Sequence, residues 1–106
     1  MKKILIIDGQ GGKIGASLID ALRSRYPSGG SVELVALGTN SSATENMLRR
    51  SPDAAATGEN PVIVNSRDAD VIAGPVGIAI ADSLWGEVTP KMAMAVGQSQ
   101  ALRVLI

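Results

Sequence analysis

The chain contains no cysteine and no histidine among its 106 residues. Without cysteine it has no disulfide framework, no thiolate nucleophile and no thiolate metal site. Without histidine it lacks the commonest acid–base group at neutral pH and the commonest metal ligand, and we predict no metal site. These absences make a non-catalytic function a serious alternative to an enzyme.

Aromatic residues and net charge are also scarce. Tyr26 and Trp85 are the only aromatic side chains, too few for the stacking surfaces that single-stranded nucleic acid binders use. Ten basic and ten acidic residues cancel, so no long-range field attracts nucleic acid or an anionic membrane. The N-terminal apolar run is too short for a signal peptide, and no stretch reaches membrane-spanning length. We expect a cytoplasmic protein with no nucleic-acid or membrane partner.

The order of apolar patterns predicts one α/β domain over residues 1–106. Short β-favouring runs alternate with segments of helical periodicity, which indicates a Rossmann-like three-layer sandwich around a mostly parallel sheet of five strands. Strands are predicted at 4–7, 32–37, 54–57, 70–73 and 102–106, and helices at about 13–26, 43–50, 77–85 and 90–96. In segment 60–66, Asn60-Pro61 favours a helix start, whereas Val62–Val64 favours a strand. We prefer a helix there because another strand follows directly.

The most informative stretch is the first predicted strand and the glycine cluster after it, Gly9, Gly11, Gly12 and Gly15. A strand that runs through glycines into a helix brings free backbone N–H groups and the positive end of the helix dipole to one place. This arrangement predicts a phosphate site, and the alternative is a tight turn that binds nothing. A Walker motif is set aside because Ile14 follows Lys13 where Ser or Thr would be needed.

The spacing of the glycines favours a dinucleotide, although the strict G-x-G-x-x-G pattern fails at Ile14. The acidic residue expected about 20 positions later to bind a ribose is missing. Hydroxyl and amide groups at Thr39–Ser42 could bind a 2′-phosphate, and Arg49 or Arg50 could lie near it. NADP therefore fits slightly better than NAD. Alternatively, Ser41 and Ser42 cap a helix. The predicted cofactor-binding residues are Asp8, Gly9, Gln10, Gly11, Gly12, Lys13, Ile14, Thr39, Asn40, Ser41, Gly74 and Pro75.

Asp8 complicates a phosphate site because its carboxylate repels a neighbouring pyrophosphate. The conflict is removed if Asp8 bonds a loop N–H group, a ribose hydroxyl or a metal ion. The sequence leaves these alternatives open.

Candidate catalytic groups are the polar residues predicted near the carboxyl ends of the later strands, Glu59, Asn60, Glu87 and Lys91. Each could equally be a solvated or capping residue. The Tyr and Lys four residues apart that short-chain dehydrogenases use are absent, since Tyr26 is followed by Pro27. Three hypotheses stay open: a nucleotide-binding protein with NADP or NAD, a small oxidoreductase-like enzyme, and a non-catalytic dimeric sensor or binding module for a nucleotide or sugar phosphate.

The predicted helix containing Ile78 and Trp85 provides a candidate homodimer face. Its apolar stripe would place Trp85 either in the core or in a subunit contact, and periodicity does not distinguish the two. A homodimer is therefore one of our predictions.

Five ordered motifs resemble a family of small bacterial proteins described only as a domain of unknown function. They are Ile7–Gly15, Ala36–Asn40, Ala56–Asn60, Gly74–Ile78 and Gly86–Ala93. The resemblance covers nearly the whole chain and implies a Rossmann-like fold with a nucleotide site, without an assigned activity. Members of that family continue into a further strand and helix, so the resemblance also implies that this chain lacks those two elements.

Overall fold

A computed structural model describes residues 1–106 as alternating strands and helices. The strands are β1 (Lys2–Asp8), β2 (Val32–Gly38), β3 (Ala54–Thr57), β4 (Val71–Gly74) and β5 (Leu102–Leu105). The helices are α1 (Lys13–Arg25), α2 (Ser41–Leu48), α3 (Glu59–Ser66) and α4 (Pro90–Gln98), with a single 3₁₀ turn at Val76–Ala79. All strand pairs are parallel, in the order β3-β2-β1-β4-β5. The predicted Rossmann-like α/β fold is confirmed.

The sheet is covered on both faces, and β1 shows why its sequence is continuously apolar. Ile4 and Ile6 pack in a cluster with side chains of α1 and α2. Leu5 and Ile7 point to the opposite face and pack in a second cluster with side chains of α3 and α4. Because successive residues of a strand face opposite sides, only an unbroken apolar run can supply both clusters.

The strand order positions a crevice beside the glycine loop. From β1 the chain proceeds outward through β2 and β3, and then returns to place β4 on the other side of β1. The connections on the two sides of this reversal therefore diverge, which opens a crevice at the carboxyl ends of β1 and β4. The residues that follow Asp8 and Gly74 lie at that crevice.

Helix α2 begins two residues before the predicted position and ends at Leu48. Its N-cap is Asn40, whose side-chain oxygen accepts the N–H of Ala43 at 2.9 Å. The alternative in which Ser41 and Ser42 cap this helix is therefore wrong, because both belong to its first turn. The preferred helix in segment 60–66 is confirmed as α3.

The predicted helix at 77–85 is wrong. After the 3₁₀ turn the chain forms an irregular segment that we call the strap, residues 80–89. Four of its residues have positive φ: Asp82, Leu84, Trp85 and Gly86, at 67°, 55°, 59° and 85°. Left-handed conformations cost about 1–2 kcal/mol for each residue with a side chain, so the strap holds an unfavourable backbone.

Tertiary contacts explain why the strap is not helical. Val88 is only 1% exposed and inserts into the core on the α3–α4 side. The Asp82 N–H donates to the Val88 carbonyl at 2.7 Å, and the Ser83 hydroxyl donates to the Gly77 carbonyl. Trp85 is 95% exposed at the tip, so of its two alternatives the core position is wrong and the subunit contact stays a prediction.

The helices give no sign of a membrane segment. None of them combines the length and the apolar character needed to cross a bilayer.

Adjacent glycines in the loop differ in how much space surrounds them, which gives a first prediction. A Cβ atom at Gly12, where φ is 72°, would lie 2.7 Å from the Ala43 carbonyl oxygen. A Cβ atom at Gly11 would have no neighbour within 4 Å. We expect Gly12→Ala to lower the free energy of unfolding by about 2 kcal/mol or more, from left-handed strain plus overlap with α2. Gly11→Ala should change it by less than about 1 kcal/mol.

Urea unfolding of the two variants beside the parent chain measures both effects. Equal stability of Gly11→Ala and Gly12→Ala would show that close packing between the loop and α2 does not constrain this position.

Candidate functional site

A cleft of about 310 Å³ opens where β1 and β4 end. One wall is the glycine loop with the first residues of α1, and the other is formed by Pro75 after β4 and Leu84 of the strap. The lining residues are Asp8, Gly9, Gln10, Gly11, Gly12, Lys13, Ile14, Pro75 and Leu84. The cleft thus lies at the reversal of strand order, where open α/β sheets bind their ligands.

Asp8 organises the glycine loop from beneath it. Its carboxylate is 4% exposed and accepts the N–H of Gly9 and the N–H of Gly15, both at 2.7 Å. The two bonds use both carboxylate oxygens and join the end of β1 to the first turn of α1. Of the alternatives considered for Asp8, a bond to a loop N–H is the one that the structure shows.

Some loop amides are satisfied within the protein and some are not. The Gly12 N–H donates to the Gly9 carbonyl at 2.9 Å. The N–H groups of Gly11, Lys13 and Ile14 have no acceptor among the protein's hydrogen bonds, and all three residues line the cleft. Lys13 and Ile14 are the first two residues of α1, where the helix dipole favours negative charge. Three backbone donors without an acceptor in the protein therefore belong to residues that line the cleft.

Glu87 reaches from the strap to the opposite side of the loop. Its Oε1 atom accepts the Gln10 N–H at 2.8 Å, the Thr39 hydroxyl at 2.7 Å and the Asn40 side-chain amide at 2.8 Å. Its Oε2 atom has no partner in the protein. The Gln10 N–H, with help from Thr39 and Asn40, holds the pKa of the Glu87 carboxyl below its ordinary value despite opposing desolvation.

The loop is also fixed to the end of β2 and to α2. The Asn40 side-chain amide donates to the Gln10 carbonyl at 2.9 Å, and the Asn46 amide donates to the Gly11 carbonyl at 3.0 Å. A Cβ atom at Gly9 would lie 2.5 Å from the Thr39 hydroxyl and 2.8 Å from Glu87 Oε1. Glycine is therefore required at position 9 for the strap and β2 to approach the loop.

The structure places only some of the predicted binding residues at the cleft. Residues 8–14 and Pro75 line the cleft. Thr39 and Asn40 lie on the far side of the loop, where they bond Glu87. Gly74 is a packing residue, because a Cβ atom there would lie 2.1 Å from the Ile7 carbonyl oxygen. Ser41 is exposed, and its side chain makes no hydrogen bond.

Of the four candidate catalytic residues, only Glu87 contacts the loop. Glu59 accepts the Thr89 hydroxyl at 2.6 Å through Oε2. Asn60 and Lys91 are exposed, and the side chain of Lys91 makes no ion pair. The four side chains therefore do not form one catalytic cluster around the glycine loop.

The arginines expected near a 2′-phosphate are at the wrong end of α2. Asn40 caps the N-terminus of this helix, whereas Arg49 is its C-cap. Nine residues of α-helix correspond to about 13 Å. Arg50 instead pairs with Asp20 of α1 at 3.0 Å. The expectation that Arg49 or Arg50 lies beside Thr39–Ser42 is wrong.

Sequence reasoning missed the position of Glu87 at the end of β2 and the roles of Asn46 and Leu84. The dinucleotide pattern places an acidic residue about 20 positions after the loop, and this chain has none at the end of β2; the carboxylate that bonds the loop is Glu87, 77 residues beyond Gln10. No local spacing indicates such a contact, because it depends on how the strap folds back over the sheet. The only signal was that Glu87 follows a glycine near a predicted carboxyl edge.

The environment of Glu87 predicts a pH-dependent stability. Because its pKa is lowered on folding, the ionised carboxylate stabilises the protein fully above about pH 5, and this contribution is lost as the pH falls below about 4. Glu87→Gln should lower the free energy of unfolding at pH 7 by about 1 kcal/mol, since three hydrogen bonds lose a charged acceptor. It should also reduce the loss of stability between pH 7 and pH 3.

Urea unfolding at several pH values tests this, with Glu33→Gln as the matched control. Glu33 lies near the amino end of β2, at the opposite edge of the sheet, and its side chain makes no hydrogen bond or ion pair. If both variants show the same pH dependence as the parent chain, the bonds to Glu87 do not contribute.

Comparison with known proteins identifies the family and no individual relative. No curated protein and no solved structure matches this chain. The model of a family described as Domain of unknown function (DUF3842) matches residues 3–106, which includes every strand and helix apart from the first residue of β1. The chain therefore belongs to this family of unknown function.

Proposed function

We propose that this protein binds a nucleotide, with the ligand's phosphates in the cleft beside the glycine loop. The observation that carries the proposal is the set of unsatisfied N–H groups on Gly11, Lys13 and Ile14, which line one wall of that cleft. Backbone N–H groups without acceptors at a helix start are suited to phosphate oxygens.

The charge balance at the loop decides whether an anion can be held there. Asp8 is close, but its charge is already compensated by two short N–H bonds. Hydrogen bonds to a charged group contribute about 1.5–3 kcal/mol each, and the helix dipole adds about 0.3–1 kcal/mol. Three such bonds, assisted by the exposed Lys13 ammonium, outweigh the repulsion from a carboxylate that is itself hydrogen-bonded.

A dinucleotide of the NAD or NADP type is the leading ligand candidate because the cleft lies at the reversal of strand order. A dinucleotide with its phosphates at α1 would extend on one side toward Thr39 and Glu87. On the other side it would extend toward Pro75 and Leu84. This is the arrangement in which dinucleotide-binding sheets hold the two nucleoside halves.

The site supports binding more than catalysis. Asp8 uses both of its carboxylate oxygens to accept backbone N–H groups, and Glu87 is held in place by three hydrogen bonds to Oε1. Glu59 and Lys91 do not contact the loop. A sensor or binding module for a nucleotide or sugar phosphate therefore fits these residues better than an oxidoreductase-like enzyme, and a homodimer of that module stays a prediction.

Isothermal titration with NAD, NADP, ADP, ATP and FAD tests the proposal. We expect heat of binding for at least one of them at concentrations up to about 1 mM, which corresponds to about 4 kcal/mol of binding free energy. Silence with all five would contradict the proposal.

Gly11→Ala separates binding from stability. Its new methyl group would stand in the open cleft without touching the protein. We expect at least a tenfold loss of nucleotide affinity, or about 1.4 kcal/mol, with unchanged stability. Gly97→Ala, the same substitution at an unobstructed position in α4, should leave affinity unchanged.

A further inference from the structure

Glu87 is an unusual carboxylate because its two oxygens have different environments. Oε1 accepts three hydrogen bonds, which fix the side chain against the glycine loop and the residues after β2. Oε2 accepts no hydrogen bond from the protein, and this oxygen is not fully buried. The protein thus holds one oxygen firmly and leaves the other without a protein partner, across the glycine loop from the cleft.

The position of this carboxylate matters because it lies at the end of β2. Thr39 and Asn40 directly follow that strand, and both donate to Glu87. In dinucleotide-binding sheets, an acidic side chain at this place accepts hydrogen bonds from the ribose hydroxyls. Here the residue comes from the strap, yet its carboxylate reaches the same part of the sheet.

The surroundings of Glu87 are unfavourable for a phosphate on the ribose. Arg49 lies at the far end of α2, and Arg50 is paired with Asp20. No cationic side chain bonds to Glu87, Thr39 or Asn40. A 2′-phosphate placed there would meet an ionised carboxylate without a compensating charge, and such repulsion is a common means of discrimination.

We propose that Glu87 determines the class of nucleotide by accepting a hydrogen bond from a free ribose hydroxyl through Oε2. The site then takes nucleotides with an unsubstituted ribose diol, of the NAD or ADP class, and rejects 2′-phosphorylated ones. This inference rests on the proposed function, because it assumes a nucleotide whose phosphates occupy the loop amides.

The strap links this recognition to a measurable signal. Trp85 is the only tryptophan of the chain, and it lies two residues from Glu87 in the strained part of the strap. A ribose bonded to Glu87 would restrict the strap, so its arrival should change the emission of Trp85. This readout is independent of the heat of binding.

The experiment compares NAD with NADP, and ADP with 2′-deoxy-ADP, by isothermal titration and Trp85 emission. For the parent chain we expect NAD to bind at least about tenfold more tightly than NADP, the effect of one hydrogen bond to a charged group. ADP should exceed 2′-deoxy-ADP by a similar factor. Glu87→Gln should bring NAD and NADP within about threefold of each other, because the amide removes the charge and keeps the shape. Glu33→Gln should keep the parent's preference.

The outcomes separate this inference from the proposed function. If no nucleotide binds the parent chain, the proposed function itself fails. If nucleotides bind but NADP equals or exceeds NAD, the role of Glu87 is overturned while the phosphate site stands. If Glu87→Gln strengthens every nucleotide alike, Glu87 closes the site instead of recognising the sugar, and the proposal is likewise overturned.

Discussion

The bond from one buried carboxylate to two backbone amides supports the rest of this site. Asp8 ends β1 and holds the N–H groups of Gly9 and Gly15, so both ends of the glycine loop are fixed to the same side chain. A loop rich in glycine is entropically costly to order. Asp8 offsets part of that cost with charge-assisted bonds, which are about twice as strong as neutral ones. It also determines which loop amides stay free.

The loop therefore has two sides with different chemistry. The side toward β2 is held by Thr39, Asn40 and Glu87, which contact the loop at Gly9 and Gln10. The side toward β4 is an open cleft with free amides and the apolar surfaces of Pro75 and Leu84. Our proposals place phosphate at the free amides and ribose at the held side. Both use groups that the protein leaves without a hydrogen-bond partner, the loop amides for phosphate and Glu87 Oε2 for ribose.

The strap contributes a residue that no element near β2 supplies. Its left-handed residues, Leu84 and Trp85 among them, carry a backbone cost of about 1–2 kcal/mol each. The buried Val88 and the bonds to Glu87 oppose that cost. The strained segment thus lies beside a candidate site, where unfavourable backbone conformations are often found. The helical spacing of Ile78 and Trp85 failed as a predictor because the strap is held by contacts of Val88 and Glu87 with residues far away in the chain.

The amino-acid sequence by itself determined the layered fold and the location of the glycine loop. The apolar run Ile4–Ile7 and the helical spacing of apolar residues after Gly12 can both be recognised from residues that are close together in the chain. Only the tertiary structure decided which loop amides stay free, how the strap runs, and where Glu87 lies. These depend on contacts between residues far apart in the chain, such as Gln10 and Glu87, and no local spacing encodes them. The separation between Arg49 and Thr39 was likewise decided by α2. Thr39 lies before the start of this helix and Arg49 at its end, so the length of the helix keeps the two side chains apart.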